Sequence, residues 1–226
     1  LAFNTYGKDL LEFGHNQGWD AKIHGGNQWY WASSTPGRWQ SILDIIAKYD
    51  LYAMPYYEWA GGAGQNGLGK QKRARPLGDI KTYTHITWSE KANLDVTDPA
   101  ALEDAKKILY ATIVRHAKNA KFAGAWIRTR PSNIPISFSD RCLGLFAAES
   151  GVKGDVTRPL LLKDAGLLKR YTAWWFGKRK AFLTALRDYL RKHANPEAVV
   201  LFTADGSESG VSLEGWDKKL VTDDVA

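Results

Sequence analysis

Strand and helix signals alternate along this chain, and this alternation limits the fold more than any other feature. Apolar segments predict strands at residues 20–24, 51–57, 122–127 and 198–203. Helical patterns separate these segments, and strand–helix–strand units imply right-handed crossovers and a parallel sheet. An open doubly wound sheet and a TIM-barrel-like (β/α)8 fold both fit this α/β order. Long aromatic loops follow the strands while returns from helix to strand are short, which favours the barrel.

Local signals set the predicted helix ends. Thr35-Pro36 and Asp98-Pro99 each combine a capping residue with proline at the first helical position. Ser139 or Asp140 should cap a short helix that stops at Gly151, and Asn195-Pro196 should end the last helix. The predicted helices cover about residues 35–49, 98–120, 139–151 and 160–193. With 226 residues the chain is expected to be one domain, residues 1–226. Four strands amount to a partial barrel.

Charge and cysteine content narrow the function classes. The net charge is +7, but the basic residues are scattered, which argues against a nucleic-acid partner. The longest predicted helix carries several of them, interpreted as its solvated face: Lys169, Arg170, Lys178, Arg179, Lys180, Arg187, Arg191 and Lys192. Cys142 is the only cysteine, so an internal disulfide and a cysteine zinc site are excluded. No apolar run is long enough for a membrane span, and no metal-ligand spacing appears.

Aromatic residues are abundant, with ten Trp, ten Tyr and eight Phe. Flat aromatic rings stack on the apolar faces of sugars, so aromatic side chains near strand ends fit a saccharide site. The candidates for substrate binding are Trp29, Tyr57, Trp59 and Trp126. The alternative is that these aromatics fill the core, and composition alone does not separate the two interpretations.

Three carboxylates follow predicted strands, where a barrel displays catalytic groups. Glu58 comes directly after the second strand, and Asp205 and Glu208 come after the fourth. Glycoside hydrolysis ordinarily uses two carboxylates. The aromatic neighbours of Glu58 favour the protonated form that a general acid needs. The alternative role for Glu58 is an ion pair with Arg73 or Arg128.

Other polar residues lie near the same predicted edge. His24 ends the first strand and is placed to hydrogen-bond a sugar hydroxyl, or to serve a structural role. Arg128 and Arg130 are placed to hold a substrate carboxylate or sulfate. These residues extend the candidate substrate site.

A glycine-rich loop follows the second strand. Gly62 to Gly67 satisfies G-x-G-x-x-G, and Gly64 to Lys70 satisfies G-x-x-x-x-G-K. Gln71 stands where the second pattern needs Ser or Thr for magnesium, and Pro76 prevents a following helix. A nucleotide site is therefore disfavoured. The basic residues of the loop either face an anionic sugar or are solvated: Lys70, Lys72, Arg73 and Arg75.

Two stretches carry a family resemblance. The segment FAGAWIRTRPSNIPISFSD (122–140), followed by LGLFAAESG (143–151), resembles the strand–loop–helix region of bacterial (β/α)8 glycoside hydrolases, including β-galactosidase-like ones. There a Phe-Ser-Asp turn introduces a helix. The stretch YTAWWFGKRKAFLTALRDYLR (171–191) is similar to a downstream helix of those enzymes. One departure is that the strand end at Trp126 to Arg130 lacks the Asn-Glu pair of the large retaining clan.

These observations lead to one main expectation and two rivals. The chain is expected to be a glycoside hydrolase that acts on an oligosaccharide or polysaccharide, without a cofactor. Such a substrate implies a secreted or periplasmic setting; the oligomeric state stays open. The first rival is a carbohydrate-binding barrel without catalysis. The second is a barrel enzyme that uses a phosphate or nucleotide.

Overall fold

The fold was analysed in a computed structural model that describes residues 2–3, 38–58, 75, 77, 95–128 and 136–203. Its elements, in chain order, are β1 (Ala2–Phe3), α1 (Arg38–Lys48), β2 (Tyr52–Glu58), α2 (Pro99–Thr112), a 3-10 turn (Val114–His116), β3 (Lys121–Phe122), β4 (Gly124–Arg128), α3 (Asp140–Ser150), α4 (Arg158–Lys163), α5 (Ala165–His193) and β5 (Val199–Thr203).

The strands form one parallel sheet in the order β1-β2-β4-β5, with β3 also paired to β2. Three of the four predicted strands lie in this sheet as β2, β3–β4 and β5. The predicted strand at residues 20–24 falls outside the described residues, and β1 was not predicted. The described strands do not close into a barrel. The described residues therefore combine helices with a sheet whose strand pairs are all parallel.

A β-bulge at Gly124 divides the third predicted strand into β3 and β4. Ala53 pairs with Phe122, and Tyr56 pairs with Trp126. Three residue steps along β2 therefore correspond to four steps from β3 to β4, so the β3–β4 segment contains one extra residue. Gly124 has φ 144°, a conformation that L side chains rarely adopt. An extra residue in a strand changes which residues share a face. Phe122 before the bulge and Ala125 after it are accordingly both buried.

The predicted capping signals are found where the structure describes them. The Asp98 side chain accepts a hydrogen bond from Ala100 N at the start of α2. Ser139 accepts from Cys142 N at the start of α3, and this helix ends at Gly151 with φ 63°. The Thr35-Pro36 signal lies outside the described residues. Capping chemistry thus fixes both ends of α3.

Two predicted helices are shorter than expected. The α2 helix ends at Thr112 rather than near residue 120, because Thr112 bonds back to the Ile108 carbonyl and two β-branched residues follow. The predicted helix 160–193 is divided at Asp164, whose backbone is extended (φ −117°, ψ 94°). The Asp164 side chain accepts from Leu167 N at 2.8 Å, so it caps α5 and ends α4.

The α5 helix supplies most of one wall of the core. It contacts α2, α3, α4 and β5, and buries Tyr171, Trp175 and Leu186 completely. The interpretation of Arg179 as a solvated residue is wrong, because its side chain is 2% exposed. Its guanidinium lies 5.4 Å from the Trp175 ring centroid and 5.0 Å from that of Phe176. The planar, weakly hydrated guanidinium can be buried in this way.

Four aromatic rings join α3 to α5. The Tyr171 ring lies 5.1 Å from the rings of Phe138 and Phe146, and Trp174 packs at the edge of the same group. These separations suit stacked and edge-to-face contacts. These four aromatic residues therefore pack in or against the core, which is the alternative to a sugar-binding role. Among the helices that the structure describes, none has the length and apolar character needed to cross a bilayer.

Candidate functional site

The carboxyl ends of three parallel strands bring two predicted site residues into one row. Glu58 ends β2, Arg128 ends β4 and Thr203 ends β5, and the register pairs Glu58 with Arg128 and Arg128 with Thr203. Tyr57 pairs with Ile127 in the preceding row. In parallel α/β folds this edge is where ligands bind. The row of Glu58, Arg128 and Thr203, called here the edge row, is the candidate site.

The remaining predicted residues divide into two groups. Trp126 is half-buried in β4 and pairs in register with Tyr56 and Leu201, so it lies two residues before the edge row. The others fall outside the described residues: His24, Trp29, Trp59, Arg130, Asp205 and Glu208. Sequence reasoning therefore placed Glu58, Tyr57, Trp126 and Arg128 at adjacent strand ends.

The basic loop is described only at its end. Lys70, Lys72 and Arg73 lie outside the described residues. The exposed Arg75 side chain lies 3.8 Å from the Asp140 carboxylate, and Arg158 approaches the same carboxylate at 3.8 Å. Asp140 is the first residue of α3, as predicted. Exposed ion pairs of this kind add little to stability.

Sequence reasoning missed a buried polar cluster around Asp95, which is 0% exposed. Its Oδ1 accepts from Thr97 N at 3.0 Å and Thr97 Oγ1 at 2.7 Å. Its Oδ2 accepts from Ser137 Oγ at 3.0 Å and Ser139 Oγ at 2.8 Å. The Cys142 thiol lies 3.4 Å from both oxygens. Asp95, Thr97, Ser137, Ser139 and Cys142 are called the Asp95 cluster below.

The geometry of this cluster requires a carboxylate rather than an amide. An amide nitrogen at the Oδ1 position would face the Thr97 backbone N–H, which can only donate. At the Oδ2 position it would face Ser137 Oγ, which already receives N–H groups from Arg75 and Ser139 at 3.4 Å each. A hydroxyl accepts two hydrogen bonds and donates one. Both oxygens of Asp95 must therefore accept.

The cluster fixes an extended, buried segment. Ser137 and Phe138 are each 0% exposed, although neither belongs to a helix or strand. The Tyr171 hydroxyl donates to the Ser137 carbonyl at 2.6 Å, and Phe138 N donates to the Arg75 carbonyl at 2.7 Å. Buried backbone groups need such partners. Residues 137–139 are thus held from both sides, by Asp95 and Arg75 on one and by α5 on the other.

Cys142 is a donor in this cluster rather than a nucleophile. Burial raises the pKa of its thiol above the ordinary value, and the nearby Asp95 charge raises it further. Burial also raises the pKa of the Tyr171 hydroxyl. Nucleophilic cysteines need a lowered pKa and access to solvent.

The protected thiol yields a prediction about alkaline pH. Because folded Cys142 keeps its proton where the unfolded thiol ionises, its contribution to the free energy of unfolding is complete below the ordinary thiol pKa of 9.0 and is lost as pH rises above it. Urea unfolding at about pH 8 and about pH 10 should therefore show a smaller loss of stability for Cys142→Ser than for the unaltered chain. Equal losses would contradict this assignment. Ellman's reagent should react with the folded thiol at least about tenfold more slowly than with the unfolded one.

The sequence contained only part of the signal for the cluster. Asp95 and Thr97 form a local turn before the α2 cap, which a D-x-T-D-P pattern indicates. The other donors come from positions 42 to 47 residues further along the chain. Periodicity and local capping rules carry no information about such partners. Capping rules predict Ser139 as a helix cap, but they do not predict its hydrogen bond to Asp95.

Within the part of the chain that the structure describes, no three His, Cys, Asp or Glu side chains are grouped to hold a metal ion. Comparisons of the chain with protein-family models, with curated proteins and with solved structures find no match.

Proposed function

We propose that the chain is a glycoside hydrolase whose site lies at the edge row. The observation that carries this proposal is the register of Glu58 with Arg128 at the carboxyl ends of β2 and β4. A glutamate and an arginine at adjacent strand ends supply one of the two carboxylates that glycoside hydrolysis uses and a cation that can bind a polar or anionic sugar. Glu58 serves as one of the two carboxylates, and Arg128 binds the substrate.

The second carboxylate is assigned to the residues that follow β5. Asp205 and Glu208 come shortly after Thr203, which lies two strands away from Glu58 in the edge row. Neighbouring strands are about 4.8 Å apart, which separates the Glu58 and Thr203 backbones by about 10 Å. Asp205 and Glu208 are the first carboxylates in the sequence after β5, and one of them is assigned as the partner of Glu58.

Aromatic residues support a saccharide as the substrate. Tyr56 and Tyr57 precede Glu58 directly, and Trp126 lies in the row of Tyr56. Aromatic faces and a few polar groups are the usual lining of a sugar site. Lys70, Lys72 and Arg73 belong to the segment that leaves β2, and their charge favours a uronic or sulfated sugar.

The test is a substrate panel with the purified chain. Neutral and uronic 4-nitrophenyl glycosides, together with reducing-end release from neutral and sulfated polysaccharides, cover the proposed class. We expect hydrolysis of at least one carboxylated or sulfated substrate, with a rate that falls as salt rises because charge attraction is screened. No hydrolysis across the panel would overturn the proposal.

A second candidate is a carbohydrate-binding barrel without catalysis. It is favoured by the end of β4, where Ile127 and Arg128 stand instead of an Asn-Glu pair. Affinity electrophoresis with the same polysaccharides separates the two candidates. Retarded migration without any hydrolysis would select the binding protein.

A further inference from the structure

Three helix-to-strand connections lie at the amino ends of the strands, away from the edge row. Residues 48–52 lead into β2, residues 113–121 lead into β3, and residues 191–198 lead into β5. Because the strands are parallel, all three connections lie at the same edge of the sheet. Together these three stretches are called the amino surface.

Side-chain contacts join the three connections to one another. The Lys121 ammonium donates a hydrogen bond to the Asp50 carboxylate and lies 5.5 Å from the Tyr52 ring centroid, which joins the second connection to the first. The Asn195 side-chain amide donates to the Phe122 carbonyl at 2.8 Å, which joins the third connection to the second. The amino surface is therefore continuous from β2 to β5.

Basic residues are concentrated on the amino surface. Its three stretches contain six lysines and arginines and two acidic residues, Asp50 and Glu197. All six basic side chains are exposed: Lys48, Arg115, Lys118, Lys121, Arg191 and Lys192. The excess of four positive charges is more than half of the net charge of +7, although the stretches are short. Charge that is scattered along the sequence is thus gathered in the fold.

Helix ends explain only part of this charge. Lys48 lies in the last turn of α1, and Arg191 and Lys192 lie in the last turn of α5, where cations offset the negative end of the helix dipole. Lys118 and Lys121 belong to no helix. Within the described part of the chain, Lys118 and Lys192 pair with no carboxylate. These two ammonium groups are therefore open to an anionic ligand.

Two exposed tyrosines lie among the cations. Tyr49 is 64% exposed and Tyr52 is 50% exposed. The Lys48 ammonium lies 5.5 Å from the Tyr49 ring centroid, as the Lys121 ammonium does from that of Tyr52. An aromatic ring can stack on the apolar face of a sugar while a neighbouring ammonium binds its carboxylate or sulfate. The combination suits an anionic sugar.

We propose that the amino surface binds a sulfated or uronic polysaccharide at a distance from the reacting bond. Asp50 and Glu197 favour a polysaccharide over a nucleic acid, because sugar hydroxyls donate hydrogen bonds to carboxylates whereas closely spaced phosphates are repelled by them. This choice of partner rests on the proposed function, while the ability of the surface to bind an anionic polymer does not. A polysaccharide bound here raises the effective concentration of its other sugars at the edge row.

The length of β2 separates the amino surface from the edge row. The strand has seven residues, which at about 3.3 Å per residue places its two ends roughly 20 Å apart. A single sugar cannot reach both sites, whereas a polysaccharide can. The amino surface should therefore lower KM for a polysaccharide and leave KM for a 4-nitrophenyl glycoside unaffected.

The direct test compares dextran sulfate with dextran, which share a backbone and differ in charge. Lys118→Glu/Lys192→Glu reverses the two unpaired cations, and a thermal melt of the same sample shows whether it is folded. We expect the Kd for labelled dextran sulfate, measured by fluorescence anisotropy at low salt, to rise at least about tenfold. The salt dependence of binding should flatten. Dextran should bind the unaltered chain far more weakly, because it lacks the sulfates.

A matched control separates the amino surface from net charge. Lys163→Glu/Lys169→Glu changes the net charge by the same amount at two exposed lysines. Lys169 and Lys192 lie near opposite ends of α5, about 35 Å apart along the helix. The control should bind dextran sulfate with the affinity of the unaltered chain. Equal losses in the two double variants would show that net charge causes the binding and would overturn the proposal.

The other outcomes decide the surface, its partner and the function separately. Unchanged dextran sulfate binding in folded Lys118→Glu/Lys192→Glu, or no binding by the unaltered chain, would overturn the proposal. Tighter binding of single-stranded DNA, lost in the same variant, would assign the surface to nucleic acid and overturn the partner. If the variant does not fold, Lys118→Gln/Lys192→Gln should raise the Kd about threefold, and an unchanged Kd would overturn the proposal.

Kinetics test the role in substrate capture. In the charge-reversed variant KM for the anionic polysaccharide should rise, while KM and kcat for the 4-nitrophenyl glycoside stay those of the unaltered chain. Equal changes for both substrates would overturn the capture role. An unaltered chain that hydrolyses nothing would overturn the proposed function, while the binding of dextran sulfate still decides whether the amino surface holds an anionic polymer.

Discussion

Glu58→Gln is expected to lower turnover at least about 100-fold, because a general acid contributes about 10² to 10⁴ in rate. Glutamine keeps the size and hydrogen bonding of the side chain but cannot deliver the proton. The residue stands at the carboxyl end of β2, in register with Arg128. The fold should stay intact, since the strand pairing uses the backbone. The measurement is kcat on the best substrate of the panel, with a thermal melt of the same sample.

A surface glutamate provides the control for this prediction. Glu197 is exposed in the turn before β5 and lies at the opposite end of that strand from the edge row. Glu197→Gln removes the same charge from the chain and should leave kcat unchanged. Near-normal turnover in Glu58→Gln would remove Glu58 from the mechanism. A collapsed melt would instead assign Glu58 a structural role beside Arg128.

The sheet was predictable because its strands are apolar runs between capped helices. Residues 51–57, 122–127 and 198–203 were recognised by composition, and parallel pairing followed from the intervening helices. The register was not predictable, since it depends on the bulge at Gly124. A single glycine inside an apolar run can mark a bulge, a bend or a close approach of another backbone. Only the pairing of the strands on both sides of Gly124 shows that it is a bulge. The edge row depends on that register.

Buried polar groups were the least predictable feature. Asp95 and Arg179 are among the residue types that are usually exposed, so sequence reasoning placed Arg179 at the surface and passed over Asp95. Their burial is stabilised by partners that helical periodicity does not reveal: hydroxyls from distant segments for Asp95 and aromatic rings of α5 for Arg179. The aromatic excess was ambiguous for the same reason. Tyr171 and Trp175 belong to the core, while Trp126 lies near the edge row.

The second large effect is expected for Gly124→Ala, which should prevent stable folding. A Cβ at this position would lie 1.8 Å from the Val199 carbonyl oxygen, far inside any permitted contact. The φ of 144° adds strain of about 1–3 kcal/mol for a residue with a side chain. Relief of the overlap requires β5 to move away from β4, which breaks the pairing that carries the edge row. A loss of more than about 4 kcal/mol is a large share of the 5–15 kcal/mol that stabilises a typical domain.

A second glycine of the same chain makes this prediction specific. Gly177 is an exposed residue inside α5, and a Cβ there meets no atom within 4 Å. Gly177→Ala should therefore raise the free energy of unfolding by about 0.5–1 kcal/mol, because alanine loses less backbone entropy in a helix. Urea unfolding of the two variants beside the unaltered chain measures both effects. Opposite signs are expected because one glycine admits the close approach of two strands and the other only weakens a helix. A Gly124→Ala chain that unfolds at the same urea concentration as the unaltered one would contradict the bulge and, with it, the register of Glu58 and Arg128.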